Sequence, residues 1–325
     1  MKITIISVTE FGLKLSNQIK EKLIKDPTII EIKQYHKNVK QVIESEFNKT
    51  DCIIGIMATG ILVRSIAPFV KSKLTDPAVL SIGDDGKFVI SLLSGHFGNA
   101  NNLTSKISKL INSTEVITTS TDINNKIGID SLAKKYYYNI TPSCNIKYIN
   151  KALINNESVD INLPPKYSYL NDLIPSYYNI SNDNNDFYAR VNDKLVYFKP
   201  LTITMGIGAR KNISYDKVFN AINSACKILK IPIQRIDQFA TVDIKKDEKG
   251  ILNVINSFNK PLKIVSSEDI KKFNNIQCSK SDFVMKKFGI KGVCEPSCLI
   301  ASDNINSELI FKKTAFNGVT IAVCI

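Results

Sequence analysis

Residues 57–100 read MATGILVRSIAPFVKSKLTDPAVLSIGDDGKFVISLLSGHFGNA. Two apolar strand-length runs, Val79–Ile82 and Phe88–Leu93, flank Asp84-Asp85-Gly86, a hairpin-type turn signal. Thr59-Gly60 opens a helical stretch bearing Ile61, Arg64 and Ile66 that meets Pro68, and Gly98–Ile111 reads as another helix. Just upstream, Cys52–Met57 is a continuous apolar run of the kind buried on both faces of a parallel sheet. Working outward, Lys2–Val8, Ile29–Ile32 and Glu115–Thr119 are strand-like, and residues 39–47 form a short helix. Phe11, Leu15, Ile19 and Leu23 fall on one face of a further helix. The alternation predicts an α/β fold: a mostly parallel sheet domain with helices on both faces over residues 1–122. Small polar residues at the ends of buried strands are where such sheets place ligands.

Residues 123–200 differ in being rich in Asn, Tyr, Ser and Pro and poor in periodicity. They read as a small irregular middle region, either a domain or a long connection, with Ser181–Asp186 a solvated loop. From Leu201 the α/β pattern resumes as a separate C-terminal domain over residues 201–325. Thr202–Ile207 is a strand running into Gly206-Ile207-Gly208-Ala209-Arg210-Lys211, and Ser214 is placed to cap a helix with Val218, Ile222, Ala225, Cys226 and Leu229 on its apolar face. Helices are expected over Asp247–Phe258 and Ser279–Phe288, and one opens at Glu295-Pro296. Leu262–Val265, Leu309–Lys312 and Val319–Cys324 are the remaining strands.

The chain has 325 residues, more than one typical core, with 44% hydrophobic and 22% charged side chains, the balance of a soluble globular protein. No apolar run approaches the ~20 residues that span a bilayer. The start, MKITIISVTEFG, reads as a first strand and not as a signal peptide, so a cytoplasmic location without membrane partners is expected. Seven scattered cysteines do not form a disulfide framework. Cys294 and Cys298 lack a second pair or a histidine at metal-ligand spacing, so they read as buried thiols and no metal site is expected. The formal charge of +13 is spread along the chain without aromatic-basic clusters. That argues against a nucleic-acid partner, while a positive field suits a polyanionic small molecule.

Several constellations can carry chemistry. His96, one of two histidines, is a candidate general acid/base or axial donor to a bound metal complex, or else caps the helix that follows. Ser94 and Gly95 flank it. Arg64 is a candidate carboxylate clamp or a solvated charge, and Asp84 and Asp85 are a polar turn or a binding pair. Gly206-x-Gly208 with Arg210 and Lys211 follows a strand and precedes a helix, a context for cradling an anion. The third glycine of a dinucleotide fingerprint is missing. Glu295 lies in the apolar run GVCEPSCL, surroundings that acid/base carboxylates use, or it caps the helix beginning at Pro296.

The same residues carry a family resemblance. Ala58-Thr59-Gly60-Ile61-x-Val63-Arg64-x-Ile66-Ala67-Pro68, Asp76-Pro77-Ala78-Val79 and Gly86 through Ser94-Gly95-His96 resemble the N-terminal domain of the cobalt-precorrin-5A hydrolase family, CbiG. Gly206 to Lys211, Ala240-Thr241 through Lys246 and Glu248, Gly292 to Pro296, and Gly318 to Ala322 are similar to its C-terminal domain. The resemblance covers nearly the whole chain and is weakest over 123–200. It implies hydrolysis of a cobalt-corrin precursor of cobalamin synthesis: water opens the ring A δ-lactone of cobalt-precorrin-5A and the C20 two-carbon unit leaves as acetaldehyde, giving cobalt-precorrin-5B. It implies no cofactor of the protein's own, because the cobalt belongs to the substrate. The partners implied are the anionic tetrapyrrole and water, with neighbouring pathway enzymes as further candidates. On this reading His96 and Glu295 are the expected proton-transfer residues. Thr59, Gly60, Arg64, Asp84, Asp85, Ser94, Gly95, Gly206, Gly208, Arg210 and Lys211 are the expected substrate contacts. A non-catalytic corrinoid carrier of the same pathway is the alternative. One local departure is Gly98-Asn99, where the family usually has Gly-Gly, and it bears on how the following helix is capped.

Overall fold

A computed structural model describes the chain apart from residues 120–123, 125, 184, 274, 276–277, 280 and 303–305 and the side chains of Phe283 and Lys287. Two compact units are present: Met1–Lys134 with Tyr138–Lys199, and Lys135–Tyr137 with Pro200–Ile325. Among the described residues no helix is long and apolar enough to cross a membrane.

The first unit opens with β1 (Lys2–Ser7), α1 (Glu10–Leu23), β2 (Glu31–His36), α2 (Val39–Glu46), β3 (Cys52–Ile56) and α3 (Thr59–Ile66). There follow β4 (Ala78–Ile82), β5 (Phe88–Leu93), α4 (Ala100–Ile111) and β6 (Thr114–Val116). The sheet order is β2-β1-β3-β4-β5-β6, with β1 to β4 parallel and β5 antiparallel to β4. Every residue of β3 and β4 is buried, which is why Cys52–Ile56 carries no polar alternation. α1 and α4 cover one face through Ile19, Leu23, Leu103 and Ile107, and α2 and α3 the other through Val42, Ile43, Leu62 and Ile66. Phe11 does not share the buried face of α1. It is 73% exposed, and Gly12, Ser16, Ile19 and Leu23 face the sheet instead. The small Gly12 and Ser16 let the helix lie close, a seam that a search for large apolar residues passes over.

The β4–β5 turn is built by Gly86 at φ 65, whose N–H reaches the Gly83 carbonyl at 2.9 Å. Because β5 runs back along β4, Val79 pairs with Leu93 and Ile82 with Val89. The chain therefore leaves β5 at the amino end of β4.

The stretch with poor periodicity carries a sheet of its own. α5 (Ile129–Lys135), β7 (Tyr138–Thr141), α6 (Ile146–Ile154), β8 (Val159–Asn162), β9 (Tyr178–Ser181), β10 (Tyr188–Val191) and β11 (Lys194–Pro200) give the order β7-β11-β10-β8-β9. Most of these strands have four residues, too short to display a period of two. The core is aromatic: Phe187 stacks on Phe198 with centroids 4.2 Å apart, and Tyr138 meets Phe187 edge-on at 5.2 Å.

The second unit contains β12 (Thr204–Ala209), α7 (Tyr215–Leu229), β13 (Gln238–Val242), α8 (Lys249–Ser257), β14 (Leu262–Val265), α9 (Ser267–Lys272), α10 (Asp282–Phe288), α11 (Cys294–Ala301), β15 (Leu309–Phe316) and β16 (Val319–Cys324). Its sheet order is β14-β13-β12-β16-β15, parallel over β12 to β14 and antiparallel at β16 and β15. Arg235, 1% exposed, holds Lys135–Tyr137 in this unit. Its Nε donates to the Tyr136 carbonyl at 2.6 Å, its Nη2 to the Tyr137 and Leu201 carbonyls at 2.8 and 2.5 Å, and its Nη1 pairs with Asp237 at 2.7 Å. A buried guanidinium requires this degree of satisfaction.

Candidate functional site

The N-terminal candidates fall into two clusters at opposite ends of the first sheet. At the carboxyl ends of the parallel strands, Thr59 Oγ1 lies 2.9 Å from Ser81 Oγ, and Thr9 Oγ1 donates to Asp84 Oδ2 at 2.8 Å. Arg64 Nη1 donates to the Gly60 carbonyl one turn back at 3.1 Å. Asp85 accepts from the Lys87 N–H at 3.1 Å, as an Asx turn does. His36, to which the sequence pointed no role, ends β2 here with Nδ1 3.1 Å from Ser7 Oγ and Nε2 3.4 Å from Glu10 Oε1. The chain turns to opposite faces after β1 and β3, which makes this edge a topological switch point.

Ser94, Gly95 and His96 stand at the other end, beside the start of β4, apart from Thr59, Arg64 and Asp84. The reversal of β5 separates them. Ser94 has φ 57, and its buried hydroxyl has no hydrogen-bond partner among the described residues. A Cβ on Gly98 would lie 2.4 Å from Ser94 Cβ and 2.9 Å from the Ala78 nitrogen, so only glycine lets the loop close against β4. Gly95 is held against Asn101, which accepts from Ser91 Oγ at 2.6 Å and donates to Thr119 Oγ1 at 3.1 Å. Asn99 caps α4 in the left-handed region, φ 72, the conformation asparagine shares with glycine. The departure from Gly-Gly is thus conformationally conservative.

His96 points its Nδ1 at Asp130 Oδ2, 3.6 Å away, with the two side chains 16% and 3% exposed. Asp130 sits in the first turn of α5, and its Oδ1 accepts from Asn150 Nδ2 at 2.9 Å. Asn150 in turn accepts the Ile129 N–H at 2.8 Å. Burial opposes ionisation of Asp130, but the bonds from His96 and Asn150 and the imidazole charge outweigh it, so the carboxyl is held below its usual range. A buried carboxylate facing one ring nitrogen orients the imidazole. Sequence reasoning missed Asp130 and Asn150. An acidic residue in a first helical turn reads as ordinary dipole chemistry, and nothing local links it to His96.

In the second unit, Gly206 and Gly208 lie inside β12 and do not form a phosphate-type loop. A Cβ at Gly206 would sit 1.9 Å from the Cys294 carbonyl oxygen, and one at Gly208 would sit 2.6 Å from Thr320 Oγ1. The glycines admit α11 and β16 to close contact with the strand. Arg210 and Lys211 follow on an exposed loop. Ser214 is the N-cap of α7 without a side-chain cap bond. Glu295, 2% exposed, is committed to three donors: Ser279 N–H at 2.7 Å and Ser279 Oγ at 2.6 Å on one oxygen, Lys313 N–H at 2.8 Å on the other. This carboxylate ties the start of α11 to β15, an anchoring role in place of the expected proton transfer. Pro296 is the third residue of that helix, not the first. Burial pushes the Cys294 thiol up to about 12, an inert state, and the described residues contain no grouping of metal-ligating side chains.

Residues 41–122 match the family model described as Cobalamin synthesis G N-terminal, and residues 203–324 that described as Cobalamin synthesis G C-terminus. A protein of Methanocaldococcus jannaschii named "Probable cobalt-precorrin-5A hydrolase" is 36% identical over 99% of this chain and 98% of its own length. A cobalt-precorrin-5A hydrolase of Priestia megaterium is 27% identical over 90% of this chain and 83% of its own. The crystal structure of a cobalamin biosynthesis protein G homologue from Sulfolobus solfataricus superposes with TM-score 0.64 at 30% identity, covering 99% of this chain and 96% of the other.

Proposed function

The chain belongs to the cobalt-precorrin-5A hydrolase family of cobalamin synthesis, and on that premise we propose that His96, oriented by Asp130, supplies the proton transfers by which it opens the substrate lactone. The hydrolase activity rests on the match over the full length to the archaeal relative. The assignment of the base rests on one observation, the imidazole of His96 held against a buried carboxylate.

The His96 imidazole takes a proton from water, and the hydroxide adds to the ring A lactone carbonyl. The tetrahedral intermediate expels the ring alcohol, which recovers the proton from the imidazolium that Asp130 has stabilised. The freed secondary alcohol then loses its proton as the adjacent carbon–carbon bond breaks. The two carbons leave as acetaldehyde, and the electron pair stays on the macrocycle, which is protonated. Ser94, whose hydroxyl has no partner among the described residues, is a donor for the oxyanion after a side-chain rotation. Thr59, Gly60, Arg64, Asp84 and Asp85 lie at the opposite end of the sheet from His96 and take no part in these steps.

The test is acetaldehyde release from cobalt-precorrin-5A, read with an aldehyde trap and by loss of the lactone mass. Aldehyde that depends on the protein and falls in His96→Ala supports the assignment. Corrinoid binding without aldehyde favours a carrier.

A further inference from the structure

We propose that the carboxyl edge of the second unit's sheet is a binding site for carboxylates on the rim of a tetrapyrrole, built from Arg210, Lys211 and Lys246. The inference rests on the reading of the substrate as an anionic tetrapyrrole. Gly206 pairs with Ala240 in parallel register, so Arg210-Lys211 beyond β12 and Ile244-Lys245-Lys246 beyond β13 emerge at the same level from adjacent strands. Neighbouring strands lie ~4.8 Å apart, close enough for both basic segments to face one ligand. Ligands of open parallel sheets bind outside these strand ends.

The loop that carries Arg210 and Lys211 is fixed at each step. The Arg210 N–H donates to the Gly318 carbonyl at 3.0 Å, Asn212 takes the left-handed conformation at φ 57, and the Ile213 N–H donates to Glu248 Oε1 at 3.0 Å. A Cβ on Gly250 would lie 2.1 Å from the Ile213 oxygen, so that packing admits only glycine. The other oxygen of Glu248 pairs with Lys245 at 3.6 Å. Lys245 is thereby spent on the scaffold, whereas Arg210, Lys211 and Lys246 are exposed and carry no ion pair among the described residues. Stretches far apart in sequence, 206–211, 240–248 and 318–322, converge on this one turn. Holding flexible cations in place before binding reduces the entropy lost when an anion arrives.

The experiment titrates the full chain with uroporphyrin, an octacarboxylate, and coproporphyrin, a tetracarboxylate, at low and high salt. Arg210→Gln with Lys211→Gln should weaken uroporphyrin binding about tenfold or more, with a smaller loss for coproporphyrin, while Lys230→Gln changes little. Glu248→Ala separates a built site from a general positive field. Removing a negative charge should tighten an unstructured attraction, but freeing the loop should weaken binding to a fixed site. Unchanged binding in the double variant, or tighter binding in Glu248→Ala, overturns the proposal. Turnover of cobalt-precorrin-5A is measured in parallel. Normal turnover with loop-independent binding would sink this site alone, and loop-dependent binding without any turnover would sink the hydrolytic reading alone.

Discussion

His96 and Asp130 face each other across 3.6 Å, the histidine from the tight loop after β5 and the aspartate from the first turn of α5. The pair joins the edge of the first sheet to the segment leading into the second, and Asn150 holds the carboxylate from behind. The arrangement has the order of a general base with its orienting acid.

His96→Ala should therefore lower turnover about 10²–10⁴-fold with little change in corrinoid binding. Asp130→Asn keeps the shape and removes the charge, and should give a smaller loss with the pH optimum displaced. Wild-type kcat in His96→Ala removes the histidine from the mechanism.

Acid should act on the same pair. Asp130 is held below its ordinary pKa of 3.8, so its ionised form stabilises the fold fully above that value. That contribution is lost as pH falls through the lower folded-state value. Denaturant unfolding of wild type and Asp130→Asn should differ at pH 5 and converge as pH drops below about 3.8. A gap that widens on acidification contradicts the sign.

Glu295→Gln should cost stability and not chemistry. Three donors lose a charged acceptor, a change of about 1.5–3 kcal/mol for charge-assisted bonds. Thermal unfolding should shift down while turnover per folded molecule stays at the wild-type level. An undiminished melting temperature with turnover reduced a hundredfold would return Glu295 to the reaction.

Two glycines with similar sequence signals should behave oppositely. Gly206→Ala drives a methyl against the Cys294 carbonyl at 1.9 Å and should destabilise by about 1–3 kcal/mol as α11 shifts. At Gly60 the nearest atom is the mobile Arg64 Nη1 at 3.2 Å, so Gly60→Ala should fold at least as well, gaining up to about 1 kcal/mol of helix propensity. Reduced substrate affinity in that folded variant would mark Gly60 as a point of close approach. Equal melting temperatures for the two variants would refute the packing account.

Local pattern reveals most of the first sheet. The continuous apolar run at Cys52–Ile56, the Asp84-Asp85-Gly86 turn and the Thr59-Gly60 helix start each encode their own conformation within a few residues. The middle sheet is less legible, because its short strands are specified by aromatic contacts such as Tyr138 on Phe187 between distant residues. Phe11 misleads for a related reason: the helix buries Gly12 and Ser16, whose small size is what the sheet needs there.

The sequence by itself determined the α/β alternation, the strands and turns around His96, and a family resemblance that the two family models and the archaeal relative support. Hydrophobic period and turn chemistry are local properties, and they survive without knowledge of the fold. Only the tertiary structure decided which polar groups meet. The antiparallel return of β5 carried Ser94-Gly95-His96 away from Thr59 and Asp84, and the packing of α5 delivered Asp130 to His96. Burial with three donors made Glu295 an anchor. Those outcomes depend on strand direction and on what lies across a packed interface, and neither is written in the neighbours of a residue along the chain.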